Sequence, residues 1–154
     1  MKALSIYAPY VDAIARGVKR EEYRSRATKH RGDLLICAAA RTSGDIYHPE
    51  ELDDRMDPAR LHAYKRINYG WYLIDWRGLY VCGHAICIAD LTDCLPYRSG
   101  GFAWRLENIR MIRPVPVKGT QNFFNVDDGL ISVIRGKYPA ARRLWVEMGL
   151  VDKI

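Results

Sequence analysis

Short apolar runs alternate with charged stretches along almost the whole chain, and their period switches between helical and extended within a few residues. Over residues 9–16 the apolar positions Tyr10, Val11, Ile14 and Ala15 recur at helical spacing, with Pro9 suited to a first turn and Gly17 to the position just past the end. This pattern predicts a helix of about two turns. Glu22 to Arg24 reads as extended. After a charged link, Asp33-Leu34-Leu35-Ile36-Cys37-Ala38-Ala39 reads as a buried strand entered through the turn Arg31-Gly32-Asp33. Residues 71–76 and the apolar run 79–91 have strand character on either side of Arg77-Gly78, and Gly83 predicts a bulge or bend.

Residues 102–109 alternate apolar and polar positions and residues 111–117 follow as a second strand, pushed toward a sheet edge by Pro114 and Pro116. Between the earlier strands, residues 48–66 carry Pro49 and Pro58 with Leu52, Met56, Leu61 and Tyr64 at loose helical intervals, which predicts a helical insertion near 43–70. The end of the chain reads as C-terminal helices near 127–150, with Leu144, Trp145 and Met148 on one face. Many short strands with glycine and proline turns imply an α+β fold, a small, partly closed β-barrel with peripheral helices. Residues 1–154 are expected to form a single domain.

Composition narrows the class. With 49% hydrophobic and 27% charged residues, the chain can bury an ordinary core without disulfides or metal. Its first residues lack the basic start and long apolar stretch of a secretory signal, and no run reaches membrane-spanning length, so the expected location is cytoplasmic, with no membrane partner. Cys37, Cys82, Cys87 and Cys94 fall mostly in apolar strand-like segments and are expected to be reduced thiols. His30, His48, His62 and His84 share no ligand spacing with them, which predicts no structural metal. No phosphate-cradling glycine loop is present and no cofactor is expected.

Charge is concentrated. Residues 16–31 hold seven Lys/Arg against two acids, within a chain of net charge +6, and that density favours a polyanionic partner such as nucleic acid. On this reading Arg24, Arg26, Lys29, His30 and Arg31 would follow a phosphate backbone, with Tyr7, Tyr10 or Tyr23 offering faces for base stacking. Most of the ten tyrosines and four tryptophans must nevertheless serve packing, and Trp104 is expected in the core.

Gly17-x-Lys19-x-x-Glu22-x-Arg24 resembles the signature of the ASCH domain family, whose fold is related to the PUA β-barrel. Further fragments match in order: Ser5-Ile6-Tyr7-x-Pro9-Tyr10 with Ile14, Arg31-Gly32-Asp33-Leu34-Leu35-Ile36, the segment 83–93, Phe102-Ala103-Trp104-x-Leu106-Glu107-Asn108 and Pro114-Val115-Pro116-Val117-Lys118-Gly119. The resemblance covers roughly residues 3–126, leaving the C-terminal helices outside it. It implies binding of RNA or a nucleotide-like ligand, since proteins of this family are proposed to bind RNA or act on nucleotides. Some cleave RNA and others deacylate N4-acetylcytidine.

Both chemistries suggest roles for the motif. If Lys19 lies in the turn ahead of the strand, alternation places Glu22, Arg24 and Arg26 on one face with it. A carboxylate beside two cations would be held ionised, ready to accept a proton, while Lys19 stabilised developing negative charge, as in a metal-independent ribonuclease or amidohydrolase. The amidohydrolases of the family resemble proteins with a threonine nucleophile where this chain has Glu22, which weakens that reaction here. The leading expectation is therefore binding, in a basic cleft lined by Lys19, Glu22 and Arg24 with Tyr10, Arg26, Lys29, Arg31 and Lys118 contributing. The same charges could instead form an ion-pair network with no ligand.

Overall fold

The computed structural model describes residues 1–42, 46–47, 64–67, 70–73 and 78–152. In chain order the elements are β1 (Lys2–Ala8), α1 (Tyr10–Ala15), β2 (Glu21–Arg24), β3 (Gly32–Thr42), β4 (Ile46–Tyr47), β5 (Tyr64–Ile67), β6 (Gly70–Leu73), β7 (His84–Pro96), β8 (Phe102–Pro116), β9 (Phe124–Asn125) and α2 (Tyr138–Glu147). Six strands form one mixed sheet in the order β2-β8-β7-β3-β1-β9, with β1 and β3 parallel and the other pairs antiparallel. Strands β4, β6 and β5 pair in that order as a second, small sheet. The fold is α+β.

Both faces of the large sheet are covered, which explains why β3 reads as a continuous apolar run. Leu34 and Ile36 join Leu4, Ile6, Ile86, Leu91 and Trp104 on the face that α1 covers with Val11 and Ile14 and α2 with Ala141 and Trp145. Leu35 and Cys37 point the other way, against Ala3, Ala85, Ile88, Ile112 and Val126. The two helices are tied together by a hydrogen bond that the Tyr138 hydroxyl donates to the buried Asp12 carboxylate at 2.7 Å.

The expected barrel does not close. Strands β2 and β9 are the two edges of the sheet, and no ladder joins them among the described residues. Side chains cross the gap instead: Arg24 donates to the Gln121 carbonyl at 2.9 Å and Arg26 to the Asn122 side chain. The sheet thus curls far enough for its edges to be linked by guanidinium groups.

Three further expectations change. Residues 102–116 form one strand, β8, bent at Asn108, whose φ of 51° accompanies an irregularity in the β7 register between Ile88 and Asp90. Its proline half lies beyond the reach of β2, which pairs only with Phe102 to Arg105, so Pro114 and Pro116 remove no ladder bond on that side. Gly83 is a bend, as expected, but it precedes β7 and does not interrupt it, and the buried residues Leu79, Tyr80 and Val81 pack without forming a strand.

In the expected helical insertion, Tyr64–Ile67 is a strand, and most of residues 43–70 lie outside the described residues. The C-terminal region holds a single short turn of 3-10 helix at Asp128–Leu130 before α2. Among the described residues no helix is long and apolar enough to cross a membrane.

Candidate functional site

The end of α1 places the first functional side chain. Gly17 adopts a φ of 81°, open to glycine without steric penalty, and the chain reverses so that the Val18 and Lys19 amides both donate to the Ala13 carbonyl at 3.1 Å. Lys19 is thereby fixed in the turn ahead of β2, as the spacing required. Its ammonium stands 3.8 Å from Glu22 Oε1, donates to the Glu21 carbonyl, and lies over the rings of Tyr10 at 5.7 Å and Tyr23 at 4.6 Å.

Strand β2 places the next two. Glu22 and Arg24 oppose Trp104 and Phe102 of β8, so alternation puts them on one face, and Arg24 Nη1 comes within 3.7 Å of Glu22 Oε2. Arg24 also packs over the Trp104 ring at 5.9 Å. Trp104 is in the core as expected, its indole N–H donating to the Arg26 carbonyl at 3.0 Å. Because β2 ends at Arg24, Arg26 reaches the site through this turn and not by strand alternation.

The electrostatics reverse one expectation. Glu22 is 8% exposed, and burial raises its carboxyl above the ordinary value of 4.5 even though Lys19, Arg24 and a hydrogen bond from the Tyr23 amide all favour the anion. Two flanking cations do not offset the water removed from the carboxylate. Glu22 is thus biased toward holding its proton.

The remaining predicted residues are distributed around this cluster. Tyr10 is half-buried beneath Lys19. Lys29 is exposed in the link between β2 and β3, and Lys118 is exposed in the segment that leads to Gln121. Arg31 turns away: it donates to the Thr28 and His30 carbonyls at 2.9 and 2.8 Å and stands 3.9 Å from Asp93 of β7. The local excess of cations is therefore partly answered by an acid that is distant in sequence.

One feature escaped sequence reading. In the hairpin between β7 and β8, Tyr97 stacks on Tyr23 with ring centroids 4.5 Å apart, and both rings are about half exposed. Arg98 is exposed beside them. The turn Tyr97-Arg98-Ser99-Gly100-Gly101 carried a signal, an aromatic and an arginine joined to paired glycines, but glycine alone marks only a turn.

Among the described residues no group of three His, Cys, Asp or Glu could hold a metal ion. The four thiols are free, and burial pushes Cys37 up to about 12, Cys82 up to about 11, and Cys87 upward, which leaves these three unsuited to act as nucleophiles.

The family model of the ASCH domain matches residues 4–116, from β1 through the last residue of β8. The chain belongs to the ASCH domain family. It therefore falls within the PUA-like superfamily. The matched span includes Lys19, Glu22, Arg24 and the Tyr97 hairpin, and excludes β9, α2 and Lys118; it ends short of the residue 126 suggested by the resemblance. The ASCH chain is 27% identical to activating signal cointegrator 1 of Homo sapiens and to that of Mus musculus, over 138 residues in each comparison. These alignments cover 80% of this chain but only 22% of each relative, so the chain spans about a fifth of the curated proteins it matches.

Proposed function

We propose that this ASCH domain binds single-stranded RNA along the seam between the two edges of its curled sheet, with the Lys19, Glu22 and Arg24 cluster as the wall of the cleft. The observation that carries this reading is the convergence of Arg24 and Arg26 on Gln121 and Asn122, which lines the seam with guanidinium groups, with the stacked, half-exposed rings of Tyr23 and Tyr97 on β2 and the adjoining hairpin. Cations along a groove with an aromatic face at its side are what a flexible polyanion with unpaired bases requires. In this reading the buried Glu22 organises the two cations, Tyr10 supports Lys19, and exposed Lys29 and Lys118 extend the track. Arg31, already engaged with carbonyls and Asp93, contributes less.

The alternative, hydrolysis with Glu22 as general base and Lys19 as electrostatic stabiliser, draws support from the raised Glu22 carboxyl, because a base works best near neutral pKa. Its low exposure gives a substrate little access, and binding is preferred for that reason.

The test is fluorescence anisotropy with a short labelled RNA at several salt concentrations. Arg26→Ala is expected to weaken binding and to lower the slope of log affinity against log salt by about one contact, about 0.7 for a single strand, whereas Arg31→Ala changes the slope less. Wild-type affinity that does not respond to salt rejects the proposal.

A further inference from the structure

Lys19, Tyr23 and Tyr97 form a column. The stacked Tyr97 ring occupies one face of Tyr23, and the Lys19 ammonium stands 4.6 Å from the Tyr23 centroid, so the cation must lie over the opposite face. One end of the column is closed by charge. The other end is the outer face of Tyr97, a residue 45% exposed, with no further ring stacked on it among the described residues.

A shallow cavity of about 260 Å³ is lined by Tyr97 and Arg98 together with Tyr23, Arg24, Gly101 and Phe102. The hairpin can lie close to β2 because Gly101 has no side chain: a Cβ there would stand 3.2 Å from the Arg24 carbonyl. The volume falls below the range of about 300–1,000 Å³ usual for whole small-molecule ligands, and so suits one base with its phosphate better than a large cofactor. Arg98 supplies the charge. It is exposed, and its guanidinium makes no hydrogen bond or ion pair among the described residues, unlike that of Arg24, which is shared between Glu22 and Gln121.

We infer that the β7–β8 hairpin is a nucleotide subsite, in which one unpaired base of an RNA strand extends the column on the outer face of Tyr97 while its phosphate pairs with Arg98. The inference rests on the RNA-binding reading above, and assigns to one place the contact that reading leaves open. A base is recognised here by its π-face, so the subsite tolerates any of the four bases. The phosphate contact is sequence-independent as well.

The experiment uses the full chain and a labelled RNA of six nucleotides, together with a set in which each nucleotide in turn is replaced by an abasic one. Tyr97→Ala is expected to weaken binding about tenfold while Tyr97→Phe stays within about twofold of wild type, since stacking needs the ring and not the hydroxyl. Arg98→Ala should lower the salt slope by about one phosphate contact. At one position the abasic RNA should lose about tenfold with the wild-type chain and little more with Tyr97→Ala, because both remove the same contact. If no abasic position weakens wild-type binding beyond about twofold, or if Tyr97→Ala binds like wild type while Arg26→Ala is weakened, the subsite is wrong and the seam reading stands. Absence of RNA binding by the wild-type chain overturns both. A melting curve shows whether Tyr97→Ala is folded, and the abasic series on the wild-type chain decides the matter even if it is not.

Discussion

At one edge of the sheet Glu22 lies buried between Lys19 and Arg24, while elsewhere on the same sheet Arg110 lies between Asp33 and Asp90, with Asp33 about half exposed. The ingredients are alike, acids and bases within ion-pair distance, yet the carboxyls move in opposite directions. Burial outweighs two cations and raises Glu22, whereas the hydrogen bond from Arg110 to Asp33, at 3.0 Å, outweighs the smaller loss of water and lowers Asp33. The roll of neighbours does not set the sign. Access to water does.

The two clusters also face different structural demands. Asp33 and Asp90 are direct cross-strand partners, and Glu107 follows opposite Asp90, so β3, β7 and β8 line up three acids in register. Like charges placed opposite one another are unfavourable, and Arg110 offsets them at the surface. Around Glu22 the pairing serves to keep charges tolerable inside the protein, and removing one partner leaves the other poorly solvated.

The largest effect should come from breaking that buried pairing. Lys19→Met keeps the aliphatic stem and removes the ammonium, whose side chain is 11% exposed. Urea unfolding at neutral pH should show a loss of about 3 kcal/mol, typical of a buried pair deprived of one partner. The loss should shrink as pH is lowered, once Glu22 carries its proton and needs no counter-charge. An equal loss at both pH values would mean that Lys19 acts mainly through Tyr10, Tyr23 and the Glu21 carbonyl.

How much of this was legible in the sequence depends on the range of the contact involved. The helix stop at Gly17, the strand at Glu22 and the inward-facing Trp104 follow from local spacing, and they place the motif correctly. The direction of the Glu22 shift was not legible, because burial comes from β8, distant in the chain, and no local charge pattern reports it. Arg31 read as a free cation because Asp93 is contributed by β7. Tyr97 was missed because an exposed tyrosine in a turn has meaning only when Tyr23 is brought beside it. The open edges of the sheet were hidden for the same reason: strand-forming runs specify strands but not which two remain unpaired.

The opposite carboxyl shifts predict opposite slopes of stability against pH, with effects smaller than that of Lys19→Met. Glu22 titrates above its ordinary 4.5 in the folded chain, so the native state holds more protons than the unfolded one in the window just above that value. Its contribution falls as pH rises through the window. Asp33 titrates below its ordinary 3.8, so its contribution is complete above that value and is lost as pH falls through the folded pKa. Urea unfolding from acid to neutral pH should show that Glu22→Gln flattens the falling limb, while Asp33→Asn reduces the loss at the acid end. The Asp33 effect is the weaker, because solvent screens a carboxylate that is about half exposed. A Glu22→Gln profile parallel to wild type would contradict the raised carboxyl.

The smallest effect separates the clusters by their response to salt. Arg110→Ala leaves Asp33 and Asp90 facing each other without their common cation, at a site where solvent screens the repulsion, so stability should fall by about 1 kcal/mol or less at low ionic strength. At about 1 M salt the screening length is near 3 Å and most of this difference should vanish in urea unfolding. The Lys19→Met loss should persist under the same conditions, because ions do not enter the space around Glu22. If the Arg110→Ala loss also persists, the arginine stem, and not its charge, stabilises the bend of β8 at Asn108, whose carbonyl accepts a hydrogen bond from Arg110 Nε at 3.2 Å. The contrast between a surface clamp and a buried ion pair would then have to be withdrawn for this pair of sites.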